Sequence, residues 1–276
     1  MLAKHSDIST YPVLASTKYD GVRVIAIVEN GLASLYTRNG KLLEISSLIG
    51  EMQEKPEGVY DGELVAGNGK QNGRTKITGD INKVLKGSLT DISEYSYCIF
   101  DYISLETWRN KSKSRPYSLR LSESITKSFS GGYARIVSQE VLNSDKEVQS
   151  LFNDLLKRGY EGLILRYPED IYEWKRTPRL IKKKAIHTAT LICEDIDEGS
   201  GKYSGMIGSL YCQGLVDNKA VEVFVGTGLS DFDRDLPPEE YVGKRIEVEY
   251  NDIVLAKDAD NHSLFLPVFK RIVGNV

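Results

Sequence analysis

The character of the chain changes near His187, and this change constrains the fold more than any other feature of the sequence. Before it, apolar runs of strand type alternate with amphipathic stretches of helical spacing. After it come five short strand patterns separated by Gly, Asp, Asn and Pro. A chain of 276 residues is long enough for two modest cores. We therefore predict an α+β domain at residues 1–187, followed by an all-β domain, a small barrel, at residues 188–276.

The first half contains one clear hairpin. The runs Val24–Val28 and Leu32–Tyr36 are apolar and β-branched, and Asn30-Gly31 between them is a strong turn signal. Further strands of this half are predicted at Val59–Val65, Tyr95–Ile103, Ala134–Ser138, Gly162–Arg166 and Leu180–Lys184. The strands of the second half are predicted at Ala189–Asp197, Met206–Gln213, Ala220–Gly226, Arg245–Asp252 and Leu264–Ile272.

The first half also contains one clear helix, at Asp145–Arg158, where apolar residues recur at helical spacing. Ser144 and Glu147 have the spacing of a capping box, and Gly159 supplies the stop. Two weaker patterns predict helices near Glu44–Lys55 and Leu119–Phe129.

The two halves differ in charge. Residues 1–187 hold 28 Lys and Arg against 23 Asp and Glu, whereas residues 188–276 hold 8 against 16, and the whole chain has a net charge of −3. The basic half can meet phosphates, while the acidic half would approach a polyanion only through a local face. A solvated surface gives the same asymmetry, so the charge alone does not identify a partner.

The cysteine count and the apolar runs indicate a compartment. Cys98, Cys193 and Cys212 are an odd number, widely spaced and set in strand-like apolar segments, as expected of reduced core cysteines. No run of eighteen apolar residues is present, and the start of the sequence lacks a secretory pattern. We expect no membrane association and a location in the cytoplasm.

One short motif carries reactive groups. Lys18-Tyr19-Asp20-Gly21-Val22-Arg23 stands just before the hairpin, where an apolar strand ends. Alone it is weak, because a surface lysine beside a glycine turn gives the same pattern. Four further segments follow it in order: Asp61-Gly62-Glu63-Leu64-Val65, Phe100-Asp101, Glu161-Gly162-Leu163-Ile164-Leu165-Arg166 and Leu180-Ile181-Lys182-Lys183-Lys184.

In order and spacing these segments resemble the motifs of the covalent nucleotidyltransferases, which comprise DNA ligases, RNA ligases and mRNA capping enzymes. In the second half, the segments at 199–210 and 226–231 resemble the OB domain of compact phage and bacterial ATP-dependent DNA ligases. Asp20 and Arg23 in the first motif also favour a DNA ligase. The resemblance implies a nucleotidyltransferase (ATP-grasp-like DNA ligase catalytic) domain followed by an OB-fold barrel.

The resemblance also implies roles for individual residues. It makes Lys18 the residue that becomes adenylylated, within a catalytic set of Lys18, Asp20, Glu161, Lys182 and Lys184. It implies that ATP is bound by Ser16, Thr17, Arg23, Glu63, Phe100, Lys182 and Lys184. It implies that Mg²⁺ or Mn²⁺ is held by Glu161, Glu63 and Asp20. It implies that DNA is contacted by Arg38, Lys270 and Arg271, with Arg38 receiving the phosphate of a nick.

Elementary chemistry fits these roles. A free lysine has a pKa of about 10.4, so attack by Lys18 needs neighbouring cations that lower its pKa. In a strand, Lys182 and Lys184 point to one face and Lys183 to the other. Each role has an alternative: a basic edge strand for the lysines, core packing for Phe100 and an ordinary turn for Arg38.

We therefore predict a monomeric ATP-dependent DNA ligase that seals nicks in duplex DNA, in the host cytoplasm if a phage encodes it. The alternatives are an RNA ligase or capping guanylyltransferase, and a non-catalytic OB-type nucleic-acid-binding protein. Two features depart from the family pattern. Met206–Gly226 has room only for a tight connection between two strands, whereas compact ligases often carry a DNA-encircling insertion there. The C-terminal motif is only partly recognisable in Pro267–Arg271.

Overall fold

The computed structural model describes residues 2–4, 6–70, 73–121, 123–129, 131–255 and 261–275. By internal packing the chain divides into two compact units, Met1–Lys184 and Ala185–Val276. The division lies just before the boundary predicted after residue 187.

The strands of the first unit form two sheets. In chain order they are β1 (Leu2–Lys4), β2 (Val13–Lys18), β3 (Val22–Glu29), β4 (Leu32–Thr37), β5 (Leu42–Leu43), β6 (Gly58–Ala66), β7 (Tyr95–Ile103), β8 (Ala134–Ile136), β9 (Glu140–Leu142), β10 (Gly162–Arg166) and β11 (Arg176–Lys184). One sheet has five strands in the order β1-β11-β10-β2-β9, and the other has six in the order β5-β4-β3-β6-β7-β8. In the five-stranded sheet, β10 is therefore the central strand, antiparallel to both β2 and β11.

The predicted hairpin is present as β3 and β4. Its two turn residues, Asn30 and Gly31, have φ values of 51° and 73°. Positive φ at both central positions is the geometry of a type I′ turn, which Asn-Gly adopts at low cost.

The helices are α1 (Ser46–Gln53), α2 (Gly73–Leu85), α3 (Leu105–Asn110), α4 (Tyr117–Arg120), α5 (Glu123–Lys127), α6 (Asp145–Lys157) and α7 (Asp231–Asp235). The prediction of one helix over Leu119–Phe129 was wrong, because α4 and α5 are separate and Leu121, which ends α4, has a non-helical ψ of 72°.

Helix α2 was not predicted. It buries only Ile77, Ile81 and Val84, an apolar stripe that is too sparse to stand out among its polar residues.

Helix α6 starts as predicted, with a difference in its cap. The Ser144 hydroxyl accepts a hydrogen bond from the Glu147 N–H at 3.3 Å. The Glu147 carboxylate accepts from the N–H of Asn143, at 2.9 Å, rather than from that of Ser144. Of the two hydrogen bonds in a capping box, the one to the Ser144 hydroxyl is therefore present. The other is replaced by a bond from the backbone of Asn143 to the Glu147 carboxylate.

Three apolar layers hold the first unit together. One face of the six-stranded sheet packs on α1 and α2, through a cluster that includes Val24 and Leu48. The five-stranded sheet packs on α6, through a cluster that includes Leu163 and Phe152. Between the two sheets lies a third cluster, in which Ile25 and Ile164 point away from the outer layers because neighbouring strand residues alternate in direction.

The second unit is built around one sheet. Its strands are β12 (His187–Glu198), β13 (Ile207–Val216), β14 (Lys219–Val225), β15 (Lys244–Tyr250), β16 (Asp252–Leu255), β17 (His262–Phe265) and β18 (Val268–Asn275). The order in the sheet is β16-β17-β14-β13-β12-β15-β18, and its core includes Cys193 and Cys212. All three cysteines of the chain are free and buried, as predicted.

The prediction of five strands in this unit was wrong, since the described residues form seven. The predicted strand Leu264–Ile272 is divided into β17 and β18. Leu266 has a φ of 53°, and Pro267 after it has no N–H to donate to a ladder. Between β13 and β14 lies the predicted tight connection, a turn of Asp217 and Asn218, both with positive φ.

No helix in the described ranges has both the length and the apolar character needed to cross a membrane.

Candidate active site

Lys18 is the last residue of β2 and lies beside the central strand of the five-stranded sheet. Its partner across the β2–β10 ladder is Gly162, and Gly162 also pairs with Lys184 across the β10–β11 ladder. Gly162 has a φ of 146°, and a Cβ at this position would collide with the carbonyl oxygen of Lys183. Glycine is required here because side chains disfavour this φ and a Cβ would not fit beside that carbonyl oxygen.

The ammonium group of Lys18 makes an ion pair with the carboxylate of Glu161, the residue that precedes Gly162. The exposed fractions of the two side chains are 20% and 23%, so the pair is shielded but open to a ligand. The structure thus brings together the two residues for which the resemblance implies the covalent step and the metal.

The lysines of β11 alternate in direction. The Nζ of Lys183 lies 5.3 Å from the ring centroid of Phe152, a residue of α6. Lys182 and Lys184 point to the opposite face, where both interact electrostatically with Lys18 and Glu161. The face that carries Lys18 therefore carries two further ammonium groups.

Burial and mutual repulsion act on these two lysines. Burial lowers the pKa of Lys182, and so do the charges of Lys18 and Arg176. Burial also lowers the pKa of Lys184, and the charges of Lys182 and Lys18 add to this effect while Glu161 opposes it. Such a cluster of cations would be relieved by an anion with several charges, such as a nucleotide phosphate.

A cavity of about 170 Å³ opens beside Lys18. Six of the residues for which we predicted catalytic or nucleotide-binding roles line it: Ser16, Thr17, Lys18, Arg23, Glu63 and Phe100. Its wall also contains five residues that we did not predict as site residues: Ala3, Tyr19, Ile164, Arg166 and Leu180. These additions are mainly apolar or aromatic, as expected for a site that encloses a nucleobase.

Glu63 has a strongly perturbed carboxyl group. Burial raises its pKa from 4.5 to about 7, against the opposing charges of Lys18, Arg74 and Arg23. A carboxyl group with this pKa is partly protonated near neutral pH. It can therefore donate as well as accept a hydrogen bond, as contact with a sugar hydroxyl requires.

Arg23 is held in place by a buried acid. Its Nε donates to Asp61 Oδ1 at 2.7 Å, and the Tyr172 hydroxyl donates to Asp61 Oδ2 at 2.9 Å. The Arg23 Nη2 is 3.1 Å from the same hydroxyl oxygen. Although burial opposes its charge, the adjacent Asp61 carboxylate raises the pKa of Arg23.

Phe100 is supported by groups that were not predicted. The guanidinium of Arg166 lies 5.2 Å from its ring centroid and also donates to Asp101 Oδ2 at 2.7 Å. Arg120 donates to both oxygens of Asp101, and Asp101 is fully buried. Burial alone would raise the pKa of Asp101, but the two guanidinium groups lower it. Phe100 therefore lines the cavity while its ring packs on a buried network of two arginines and one aspartate.

Asp20 is half-buried near the ion pair. Its Oδ2 accepts a hydrogen bond from the N–H of Arg74, a residue of α2, at 3.3 Å. Burial raises the pKa of Asp20, and the nearby Glu161 charge raises it further, while Arg74 and Lys18 lower it. Arg74 was not predicted as a site residue, because α2 itself was not predicted.

Three predicted DNA-binding residues lie outside this cavity. Arg38 is exposed and lines a separate cavity of the first unit. Lys270 and Arg271 are on β18 of the second unit, where they make ion pairs with Glu249 and Glu247 at 3.0 Å and 3.1 Å. Ion pairs this exposed are weak, so both cations can exchange their partners for phosphates.

Within the described residues, no group of three or more His, Cys, Asp or Glu side chains could hold a metal ion by itself. Mg²⁺ commonly takes one or two carboxylates together with substrate phosphates and water. Glu161 and Asp20 fit a site of this composition, whereas Glu63 is better matched to a neutral hydrogen-bonding role.

Two family models match the chain. The model described as ATP dependent DNA ligase domain matches residues 1–184, and the model described as DNA ligase OB-like domain matches residues 198–272. The two matches follow each other along the chain in the same order as the two compact units.

Similar proteins include DNA ligases from an archaeon and a phage. DNA ligase 2 of Methanosarcina mazei is 28% identical over 240 residues, which are 78% of this chain and 40% of that protein. The DNA ligase of Enterobacteria phage T4 is 26% identical over 219 residues, which are 72% and 43% of the two chains. The chain thus spans about two fifths of the length of these curated relatives.

A solved structure of a Lig E DNA ligase, described as binding DNA with a minimal scaffold, has the same fold. It superposes with a TM-score of 0.76 at 23% identity, covering 98% of this chain and 97% of the other.

Proposed function

Since this chain belongs to the ATP-dependent DNA ligase family, we propose that it seals nicks in duplex DNA through a lysyl-AMP intermediate. One observation carries the proposal. Lys18 contacts Glu161 beside a cavity whose wall contains Phe100, Glu63 and Arg23, so a nucleophile, an acid and a nucleotide pocket meet at one point.

In the first step, Lys18 Nζ loses a proton and attacks the α-phosphorus of ATP. A phosphorus–nitrogen bond forms, the bond to the β-phosphate oxygen breaks, and pyrophosphate leaves. Lys182 and Lys184 lie on the same face as Lys18, so their ammonium groups offset the charge that builds on the phosphate oxygens. Phe100 stacks on the adenine, and Glu63 and Arg23 contact the ribose.

In the second step, an oxygen of the nick's 5′-phosphate attacks the same phosphorus, and the phosphorus–nitrogen bond breaks. Lys18 leaves as an amine, and AMP is now joined to the DNA end through a pyrophosphate linkage. In the third step, the 3′-hydroxyl loses its proton and attacks the 5′-phosphate, and AMP leaves. Arg38 is the group that we assign to the 5′-phosphate, because an exposed guanidinium can bind a phosphate bidentately.

Glu161 and Asp20 are the residues that would hold Mg²⁺ or Mn²⁺, which would supply charge neutralisation at the phosphates. Before ATP is bound, the ammonium group of Lys18 faces the Glu161 carboxylate. When Nζ carries AMP it is no longer a cation, so Glu161 then loses the positive charge of Lys18 and keeps only those of Lys182 and Lys184 nearby.

We assign adenylylation to residues 1–187 and an accessory grip on the duplex to the OB-fold unit at residues 188–276, acting as a monomer. The short turn at Asp217 and Asn218 means that the β13–β14 connection is too short to encircle DNA. Encirclement of the duplex would therefore need other loops.

Labelling tests this function directly. The protein is incubated with ATP or GTP labelled at the α-phosphate, and then with a nicked duplex that carries a 5′-phosphate, or with nicked RNA. We expect label from ATP only and sealing of the DNA nick. Label from GTP would point to a capping enzyme, and sealing of RNA alone would point to an RNA ligase.

A further inference from the structure

Lys18 and Glu161 face each other where the pairing of β2 with β10 ends. Lys18 is the last residue of β2, and its ladder partner Gly162 is the first residue of β10. The described pairs run from Leu14 with Arg166 to Lys18 with Gly162, so Glu161 lies one position outside the ladder. The position of the Lys18 amine relative to the Glu161 carboxylate therefore depends on contacts made beyond the ladder.

Two tyrosines meet just beyond this end of the ladder. Tyr19 follows Lys18 along the chain, and Tyr160 precedes Glu161. Their ring centroids lie 5.8 Å apart and their ring planes are at 89° to each other, which is the edge-to-face geometry that aromatic pairs favour. The ring contact therefore connects the residue after the nucleophile to the residue before the acid.

The end of α6 fixes the position of Tyr160. Gly159 has a φ of 84°, and its N–H donates to the carbonyl oxygen of Leu156 at 2.9 Å. The N–H of Tyr160 donates to the carbonyl oxygen of Leu155, also at 2.9 Å. These two bonds form a Schellman motif, in which the residue after the glycine commonly packs back on the helix. The Tyr160 side chain does so, against the apolar cluster between α6 and the five-stranded sheet.

The Tyr19 ring has further contacts. A Cβ on Gly69 would lie 2.6 Å from Tyr19 Cδ1, so the turn that follows β6 packs directly on the ring. The carbonyl oxygen of Gly69 also accepts a hydrogen bond from the N–H of Asp20, at 3.3 Å. The guanidinium of Arg135 lies 5.6 Å from the ring centroid. Tyr19 is thus held by a turn, a cation and the Tyr160 ring, and the nucleophile directly precedes it.

We propose that Tyr160 is a positioning residue for the attachment of AMP to Lys18. By packing against Tyr19 beyond the end of the ladder, it keeps the Lys18 amine beside Glu161 and directed toward the α-phosphate of ATP. This inference rests on the proposed function and adds to it a residue that acts through the nucleophile.

The position of Tyr160 separates the rate of attack from the binding of ATP. The described residues that line the nucleotide cavity include Phe100 and Glu63 but not Tyr160. Loss of the Tyr160 ring should therefore leave the contacts with base and sugar in place and displace only the reacting amine. A displacement of about 1 Å at a reacting group can lower a rate about 100-fold.

Two substitutions at Tyr160 test the role of the ring. Tyr160→Leu keeps an apolar contact with α6 and removes the ring from Tyr19, whereas Tyr160→Phe keeps the ring. Attachment of AMP is followed in a single turnover at a series of ATP concentrations, by intact-mass spectrometry of quenched samples. For Tyr160→Leu we expect a maximal rate about tenfold lower, with a half-saturating ATP concentration within about twofold of the wild-type value. Tyr160→Phe should restore at least about half of the wild-type maximal rate.

A double variant tests whether the two rings act together. Tyr19→Leu should also lower the maximal rate. Tyr19→Leu combined with Tyr160→Leu should be no slower than the slower single variant, because each single change already removes the contact. Tyr133→Leu is the control, since Tyr133 is an exposed ring of the same unit that stacks on Tyr95, and its loss should leave both kinetic parameters unchanged.

The inference is overturned if Tyr160→Leu reaches the wild-type maximal rate, or if its only defect is weaker binding of ATP. It is also overturned if Tyr160→Phe is as slow as Tyr160→Leu, or if the losses of the two single variants multiply in the double variant. If circular dichroism shows that Tyr160→Leu does not fold, the maximal rates of Tyr19→Leu and Tyr19→Phe decide the question, and equal rates overturn the inference. A wild-type protein that takes up no AMP contradicts the proposed function itself.

Discussion

The ammonium group of Lys18 contacts the carboxylate of Glu161, a residue 143 positions further along the chain. The contact exists because β2 and β10 are neighbours and Lys18 faces Gly162 across their ladder. The nucleophile therefore lies against an acid that would be available to hold a metal ion once the positive charge of Nζ is removed. Two of the following predictions test this pair.

Lys18→Ala should abolish covalent labelling with AMP, because it removes the amine to which we assign the attack on the α-phosphate. Intact-mass spectrometry after incubation with ATP measures this. Lys183→Ala is the matched control, since Lys183 packs over Phe152 on the other face and its loss should leave labelling intact. AMP still attached to the Lys18→Ala protein, for example at Lys182 or Lys184, would contradict the assignment.

Glu161→Gln should slow both charging and sealing by about 100-fold while leaving the fold intact, because it removes a charge from a phosphate site and keeps the shape of the side chain. Single-turnover rates in Mg²⁺ and circular dichroism measure the two effects. Glu169→Gln, which removes an exposed carboxylate paired with Arg179, should change neither rate. Near-normal sealing by Glu161→Gln would remove Glu161 from the site.

Arg38→Ala should retain lysyl-AMP formation and lose most of the transfer to the 5′-phosphate, by about 10-fold to 100-fold, because Arg38 lies outside the nucleotide cavity. Enzyme that has already been charged is mixed with nicked duplex at several salt concentrations. The variant should also show a weaker dependence of binding on salt, since it releases fewer counterions. Arg158→Ala, which removes an exposed arginine just after α6, is the control. Wild-type transfer by Arg38→Ala would make Arg38 an ordinary turn residue.

Glu63 should make the unliganded protein less stable as the pH rises from 4.5 to 7. In this range the carboxyl group is ionised in the unfolded chain but still protonated in the buried site, so the folded state binds more protons. The loss attributable to Glu63 is at most about 3 kcal/mol and levels off above pH 7. Urea unfolding of the wild type and of Glu63→Gln at a series of pH values measures it. The same pH dependence in both proteins would show that Glu63 is not the group responsible.

Much of the site could be predicted because its residues lie within short motifs at the ends of apolar strands. Local alternation alone was enough to separate Lys183 from its neighbours on β11. The supports of these residues could not be predicted in this way. Tyr172 holds Arg23 through a contact between residues that are 149 positions apart, and no local spacing encodes such a contact.

The fold could be predicted where a turn or a cap marks an element, as at Asn30-Gly31 and Ser144. It could not be predicted where such a turn or cap signal is absent, or where a stronger apolar pattern conceals it. Helix α2 has a thin apolar stripe, and the apolar run Leu264–Ile272 reads as continuous even though Pro267 interrupts its hydrogen bonding. Tertiary packing, rather than local pattern, decides the bounds of α2, whereas the break between β17 and β18 has a local cause in Pro267 that the apolar run outweighed.

The pairing of Gly162 with both Lys18 and Lys184 has a consequence for the study of folding. If β10 paired with β2 one position out of register, Lys18 would point to the face of the sheet opposite that of Lys182 and Lys184. A slip of one position between β10 and β11 would separate these lysines from Lys18 in the same way. Only molecules with the correct register could then react with ATP. The label incorporated from pulses of labelled ATP during refolding would therefore measure the fraction of molecules in which this sheet has the correct register. The reaction of Lys18 with ATP would in this way follow the assembly of the sheet over time.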